Sequence, residues 1–197
     1  MDQINYFKDG CNHYITKFLT AMSSVDHHKS VFSMLMWPLI LYGALAGLYV
    51  GFLHGQWSWF SWHPMSMLIG FVTLAGNATL IKKIGGYENT KLHGYLMSTA
   101  LAIAFFGWYV IYSNKEMYGK AHLLSIHEKL GAFVMLGYTG LALFGGIALH
   151  PDWGVFKTNQ LFRKIHKWGG RFFTAAAWIC CVLGKQVIRV DISTISV

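Results

Sequence analysis

From Ser30 through Ile81 the chain carries no Lys, Arg, Asp or Glu. A helix crosses a bilayer core in about 20 apolar residues, so this run is long enough for two spans joined by a short turn. Three more apolar stretches follow, and together they predict five spans at 31–54, 60–81, 93–113, 124–149 and 166–188. With 54% hydrophobic and only 12% charged residues, neither a disordered chain nor a nucleic-acid-binding domain fits. The net charge of +8 lies between the spans, where it sets topology. The chain reads as an all-α, multi-pass membrane protein.

Three regions follow from this pattern. Residues 1–30 are too polar for a signal peptide and are expected to stay on the chain. Ile4, Phe7, Cys11, Ile15, Phe18 and Met22 recur three or four residues apart, which predicts an amphipathic helix lying on the membrane surface. Residues 31–189 hold the membrane domain, and 190–197 form a short tail with no room for a sixth span. With the N-terminus in the cytosol, that side carries 11 of the 16 Lys and Arg and the other side 5, which favours N-in, C-out. Trp57, Trp59, Trp62, Trp153 and Trp168 stand near span ends as interface anchors. The sequon Asn77-Ala78-Thr79 falls inside a span and is not expected to be glycosylated. Cys11, Cys180 and Cys181 make no disulfide framework, and no Cys-x-x-Cys-His motif for covalent haem attachment occurs.

Four of the ten histidines share a pattern: His63, His93, His127 and His166 open spans two, three, four and five. An ionisable residue within a membrane segment is costly unless it is paired or ligated. Successive spans alternate in direction. His63 and His127 therefore fall near the outer face, and His93 and His166 near the cytosolic face. Each pair comes from two different helices at one depth, which is what two bis-histidine haems stacked in a four-helix bundle require. Gly131 and Gly170 each follow a histidine by one turn and leave room for a flat macrocycle. Spacing alone leaves open a metal or proton pathway and incidental polar residues. Zinc prefers three or four protein ligands where each layer offers two, so haem fits better.

At these residues the chain resembles the cytochrome b561 family of transmembrane di-haem electron carriers. Phe60-Ser61-Trp62-His63-Pro64 is similar to the motif opening the family's first haem-bearing helix. Gly119-Lys120-Ala121-His122-Leu123, with His127 four residues later, is similar to another, particularly in the short members resembling the tumour-suppressor homologue. Lys91-Leu92-His93-Gly94 and Lys164-Ile165-His166-Lys167 occupy the other two ligand positions. The likeness spans about 55–185. It implies two haem b groups, held by His63 with His127 and by His93 with His166. It also implies one-electron transfer from cytosolic ascorbate to ferric iron or monodehydroascorbate on the far side, and a homodimer. The family usually has six spans where this chain has room for five.

The resemblance directs attention to cations near each pair. Ascorbate is an anion, and Lys91, Lys82, Lys83, Arg163 and Lys164 are its candidate donors on the cytosolic side. Lys91 stands out because it precedes a ligand histidine by two residues. On the outer side His54, Lys120 and His122 are candidates to meet iron or pass a proton, with Tyr118 nearby. No separate catalytic residue is expected. Two other functions remain in competition: a di-haem relay subunit serving a partner protein, and a haem-free metal or proton transporter.

Overall fold

A computed structural model of the chain describes residue 16 and residues 27–53 and 55–195. The N-terminal amphipathic segment and His54 lie outside the described residues. Five long helices follow one another: α1 (His27–Gly51), α2 (Trp62–Ile84), α3 (Tyr87–Met117), α4 (Ile126–Ala148) and α5 (Gln160–Ile195). No strand occurs among the described residues. Four helices are long and apolar enough to cross a membrane: α1 over Met34–Gly51, and all of α2, α3 and α4. The fifth is the longest at 36 residues, but it opens on Arg163, Lys164, Lys167 and Arg171 and runs on past the predicted apolar stretch. Its charged ends extend the helix beyond both predicted span limits.

Neighbouring helices pack α2 on α3, α3 on α4, α4 on α5, and α5 back on α2. These four form a bundle, and α1 lies outside it against α2. In such a ring α2 and α4 stand on one diagonal and α3 and α5 on the other. The bundle interior between its two ends is apolar: Phe71, Ala100, Ala104, Val134, Tyr138 and Ala177 are buried together there. Large apolar side chains such as Met34, Leu45, Tyr109 and Leu136 point outward. That reversal of the soluble pattern suits a surface solvated by lipid tails.

Local sequence fixes where each helix begins. Ser61, 1% exposed, donates from Oγ to the Gly51 carbonyl at 2.6 Å, tying the end of α1 to the start of α2. Pro64 follows in the first turn of α2, where its missing N–H costs nothing. Gly85 and Gly86 take φ of +82° and +90°, a backbone that other residues rarely adopt, and so reverse the chain into α3 within two residues. Ser125 caps α4: its Oγ accepts from Glu128 N at 3.2 Å, and the Glu128 carboxylate reaches back to accept from Leu124 N at 3.0 Å. Asn159 caps α5, accepting from the backbone of Leu161 and Phe162.

The middle of α2 departs from an α-helix. Leu68–Leu74 form a π-helical turn, a distortion frequent at functional sites. Trp178 Nε1 on α5 donates to the Phe71 carbonyl in that turn at 3.1 Å. Asn77 is 2% exposed inside the same helix, so the sequon is closed to modifying enzymes.

Candidate functional site

The four span-opening histidines come together as two pairs, one on each diagonal of the bundle. The ring centres of His63 on α2 and His127 on α4 lie 6.3 Å apart, with planes at 81°. Those of His93 on α3 and His166 on α5 lie 6.5 Å apart, at 88°. An imidazole–metal bond of about 2 Å, plus about 1.1 Å from nitrogen to ring centre, puts two axial imidazoles about 6 Å apart through one shared metal. Both pairs match that spacing. Neither is in direct hydrogen-bonding contact, so a group inserted between the rings is the economical reason for holding them there.

The ring nitrogens not needed for a metal are mostly occupied. His63 Nδ1 donates to the Gly107 carbonyl on α3 at 2.9 Å, and His93 Nδ1 to the Ala78 carbonyl on α2 at 2.9 Å. His127 Nδ1 donates to the Cys180 carbonyl on α5 at 3.0 Å. Such bonds fix the tautomer with Nδ1 protonated and leave Nε2 as a lone-pair donor aimed away from the backbone. This is how a metal-ligating histidine is ordinarily oriented.

Glycines complete the cradle. A Cβ on Gly145 would stand 2.7 Å from His166 Cε1, and one on Gly184 would stand 2.9 Å from His127 Cε1. Each ring therefore lies directly on a bare backbone. At Gly170 an added Cβ would meet nothing within 4 Å, and at Gly131 only Cys180 Sγ at 3.6 Å. Protein neighbours do not force these two to be glycine, which agrees with clearance kept for a flat group. Among the described residues no cluster of three or more His, Cys, Asp or Glu is placed to hold an ion. The donor set thus suits a macrocycle that brings its own four nitrogens and needs two axial imidazoles. The residues fit a b-type haem at each pair.

The two layers stand at opposite ends of the bundle. Fourteen residues separate His93 from Gly107 on α3, and fourteen separate His166 from Cys180 on α5 (107 − 93 and 180 − 166). At 1.5 Å per residue that is about 21 Å between layers, well within a hydrocarbon core of about 30 Å.

The predicted cations divide unevenly. Lys82 lies close enough to His93, His166 and Arg163 to interact electrostatically with all three, and its Nζ donates to Thr90 Oγ1 at 2.6 Å. Lys83 and Lys164 are exposed at the same end. Lys91 is otherwise engaged: its Nζ pairs with Asp152 at 3.3 Å and lies over the Tyr87 ring, while the Tyr87 hydroxyl donates to the same carboxylate. At the far end His122 stacks on Tyr112 and bonds Glu116 at 2.7 Å, and Lys115 pairs with Glu128 at 2.8 Å. Lys120 and Tyr118 are exposed beside them. Trp57 is drawn into a cluster with Phe52 and Trp62, whereas Trp59, Trp62, Trp153 and Trp168 keep the exposure of interface residues.

Sequence reasoning missed Asp152, Tyr87, Gly145 and Gly184. Asp152 follows Pro151 in a polar turn and carries no motif of its own. Hydrogen bonds from Tyr87 and then Lys91 hold its carboxyl below the ordinary value of 3.8. The sign follows: a depressed value means the clasp between this loop and α3 is fully present above the ordinary value and lost only as the pH falls through the depressed one. Asp152→Asn is expected to speed proteolytic cleavage within residues 149–159 at neutral pH. Wild-type protein should reach that susceptibility only once the pH has fallen below 3.8.

Comparison with known proteins agrees with this geometry. The family model for eukaryotic cytochrome b561 matches residues 62–189, a stretch containing all four paired histidines. The bovine (Bos taurus) transmembrane ascorbate-dependent reductase CYB561 is 30% identical over 174 residues, covering 83% of this chain and 68% of the relative. Human transmembrane reductase CYB561D2 is 28% identical over 170 residues, 69% of this chain and 76% of the relative. Human CYB561 reaches 35% identity over a shorter stretch of 104 residues, 48% of this chain and 41% of the relative. With paired imidazoles on both diagonals and a family match running through all of them, the chain belongs to the eukaryotic cytochrome b561 family.

Proposed function

We propose that this protein is a transmembrane reductase that binds two haem b groups, one on His63 and His127 and one on His93 and His166. It takes single electrons from ascorbate on the cytosolic side and delivers them to ferric iron or monodehydroascorbate opposite. The observation that carries the reading is the equal spacing of the two imidazole pairs at opposite ends of one bundle. The bovine relative's name, ascorbate-dependent reductase, supports ascorbate as the donor, and the count of Lys and Arg favours a cytosolic N-terminus and a cytosolic His93/His166 end. When bound, the haem supplies reversible one-electron chemistry, which no side chain here offers.

The residues' own tasks are binding, orientation and exclusion of water. Lys82 and Arg163 come from two helices and are held close enough to repel each other near the His93/His166 pair. Two like charges kept together are stabilised by an anion between them, and ascorbate is such an anion. Arg163 can grip an enediolate with two N–H groups. Lys83 and Lys164 add to the local positive field and attract the anion. Lys91, neutralised by Asp152, acts as a strut and contributes little to anion binding. At the other end the contact of His122 with Glu116 supports a role for His122 in passing a proton to monodehydroascorbate, and the exposure of Lys120 one in attracting that anion.

Proteoliposomes loaded with ascorbate and facing an external ferric chelate test this. Purified protein should show a reduced b-type spectrum with two haems per chain and should reduce the external iron. A colourless preparation from haem-replete cells would end the reading. Lys82→Gln and Arg163→Gln should each raise the KM for ascorbate about tenfold, the loss of one charge-assisted contact of about 1.4 kcal/mol. Lys91→Gln should change it less than about twofold.

A further inference from the structure

The π turn of α2 deprives one carbonyl of its usual donor. In an α-helix the Ala75 N–H would reach four residues back, to Phe71. It bonds the Gly70 carbonyl instead, five residues back, and so passes over Phe71. Phe71 is 5% exposed, and a buried carbonyl without a donor is costly. Trp178 on α5 supplies the donor. Its Nε1–H points at the Phe71 carbonyl, 3.1 Å away and 107 residues distant in the chain. The indole edge is seated beside Gly76, where an added Cβ would lie 3.6 Å from Cζ2.

Helix geometry gives the turn its importance. α2 carries His63 ahead of the turn and, behind it, the Ala78 carbonyl that accepts from His93 Nδ1 at 2.9 Å. A π turn fits one more residue into the helix than an α-helical path does. Straightening it would rotate His63 about 100° relative to Ala78 and shift it about 1.5 Å, so the two could not face the bundle together. The part behind the turn is gripped separately: Asn77 Nδ2 donates to the Thr73 carbonyl at 2.6 Å, and Thr73 Oγ1 to the Leu39 carbonyl on α1 at 3.4 Å. The same stretch of α5 also reaches the other ligand. Two residues beyond Trp178, the Cys180 carbonyl accepts from His127 Nδ1 on α4 at 3.0 Å. In the ring of helices α5 stands between α2 and α4, so three consecutive residues of it hold both helices that carry the His63/His127 pair.

Resting on the di-haem reading, we propose that Trp178 is a positioning residue for the haem of the His63/His127 pair. Its indole N–H holds the π turn of α2, and the turn keeps the His63 ring at 81° to that of His127. The His93/His166 pair takes no ligand from α2, so the angle between its rings does not depend on this bond. One helix thus sets the angle of two imidazoles carried on its neighbours.

Electron paramagnetic resonance of the haem-loaded full chain in its ferric state tests the proposal. The g-anisotropy of a low-spin haem with two axial imidazoles is largest when their planes are perpendicular and falls as they turn toward parallel. Two low-spin signals should appear, and the one missing from His127→Ala belongs to the His63/His127 pair. In Trp178→Phe the largest g-value of that signal should fall, or the signal should disappear, while the other stays in place. Replacing Trp178 by benzothienylalanine, which keeps the bicyclic ring but carries sulfur in place of N–H, should act in the same way. Trp153→Phe is the control. It loses an indole bond of the same length, 3.1 Å to the Gly146 carbonyl, and should leave the His63/His127 signal unchanged. An unchanged signal in the benzothienylalanine variant would assign any effect to the bulk of the ring and overturn the proposal. An equal shift in Trp153→Phe, a shift of the other signal, or loss of both haems from both Trp178 variants would overturn it too. Fewer than two haems per wild-type chain would instead remove the reading beneath it.

Discussion

Replacing His63 or His127 by alanine is expected to remove one of two b-type haems and leave the other, halving the Soret absorbance per chain. Replacing His93 or His166 should remove the opposite one. The four single variants should fall into two spectral classes along the diagonals of the bundle, because each pair is one site. Truncation deletes an Nε2 donor and, for three of the four, also a hydrogen bond to a helix carbonyl, that of Gly107, Cys180 or Ala78. One such hydrogen bond contributes about 1 kcal/mol net, so these three should also melt somewhat earlier than His166→Ala. Transmembrane transfer should fall to background in all four, since the two sites stand in series across about 21 Å of apolar interior. The double variant His63→Ala/His127→Ala should look like either single one in the spectrum. His150→Ala is the matched control: that ring stacks on Trp153 in the loop after α4, and its loss should leave both haems in place. Loss of both haems from every variant alike would mean that the pairs do not act as separate sites.

Much of this arrangement was readable beforehand, and the reason is physical. A charged or polar group inside a membrane helix is expensive, so the few that exist are conspicuous, and alternation of helix direction fixes which of them share a depth. His63, His93, His127 and His166 could be paired on that ground alone. The cations were harder. Lys91 precedes His93 by two residues and looked the best donor to an anion, but sequence proximity does not reveal a partner from a distant loop. Asp152 is 61 residues away in the chain (152 − 91) and claims that ammonium. Lys82 carried no special signal, yet it is the lysine that interacts with both cytosolic-end histidines. The glycines show the same limit. Gly131 and Gly170 share a helix with the histidines they follow, so local spacing exposed them. Gly145 and Gly184 lie on the neighbouring helix and touch the rings only after the bundle has closed.

Those two glycines carry the second large effect. In Gly145→Ala the new methyl group would stand 2.7 Å from His166 Cε1, closer than carbon atoms pack, and the listener on the other side is a ring that must keep its place to ligate. Either the ring turns or α4 moves outward, and a displacement of about 1 Å is enough to spoil a site of this kind. Gly145→Ala should therefore lose the haem of the His93/His166 pair while keeping the other, and Gly184→Ala should do the reverse, with the added Cβ 2.9 Å from His127 Cε1. Helix propensity predicts the opposite sign, since alanine favours a helix over glycine by about 1 kcal/mol. Gly146→Ala separates the two effects. It sits one residue further along the same helix with nothing within 4 Å of an added Cβ, so it should keep both haems and melt no lower than wild type. If Gly145→Ala also kept both haems, the close seat of His166 on α4 would be refuted.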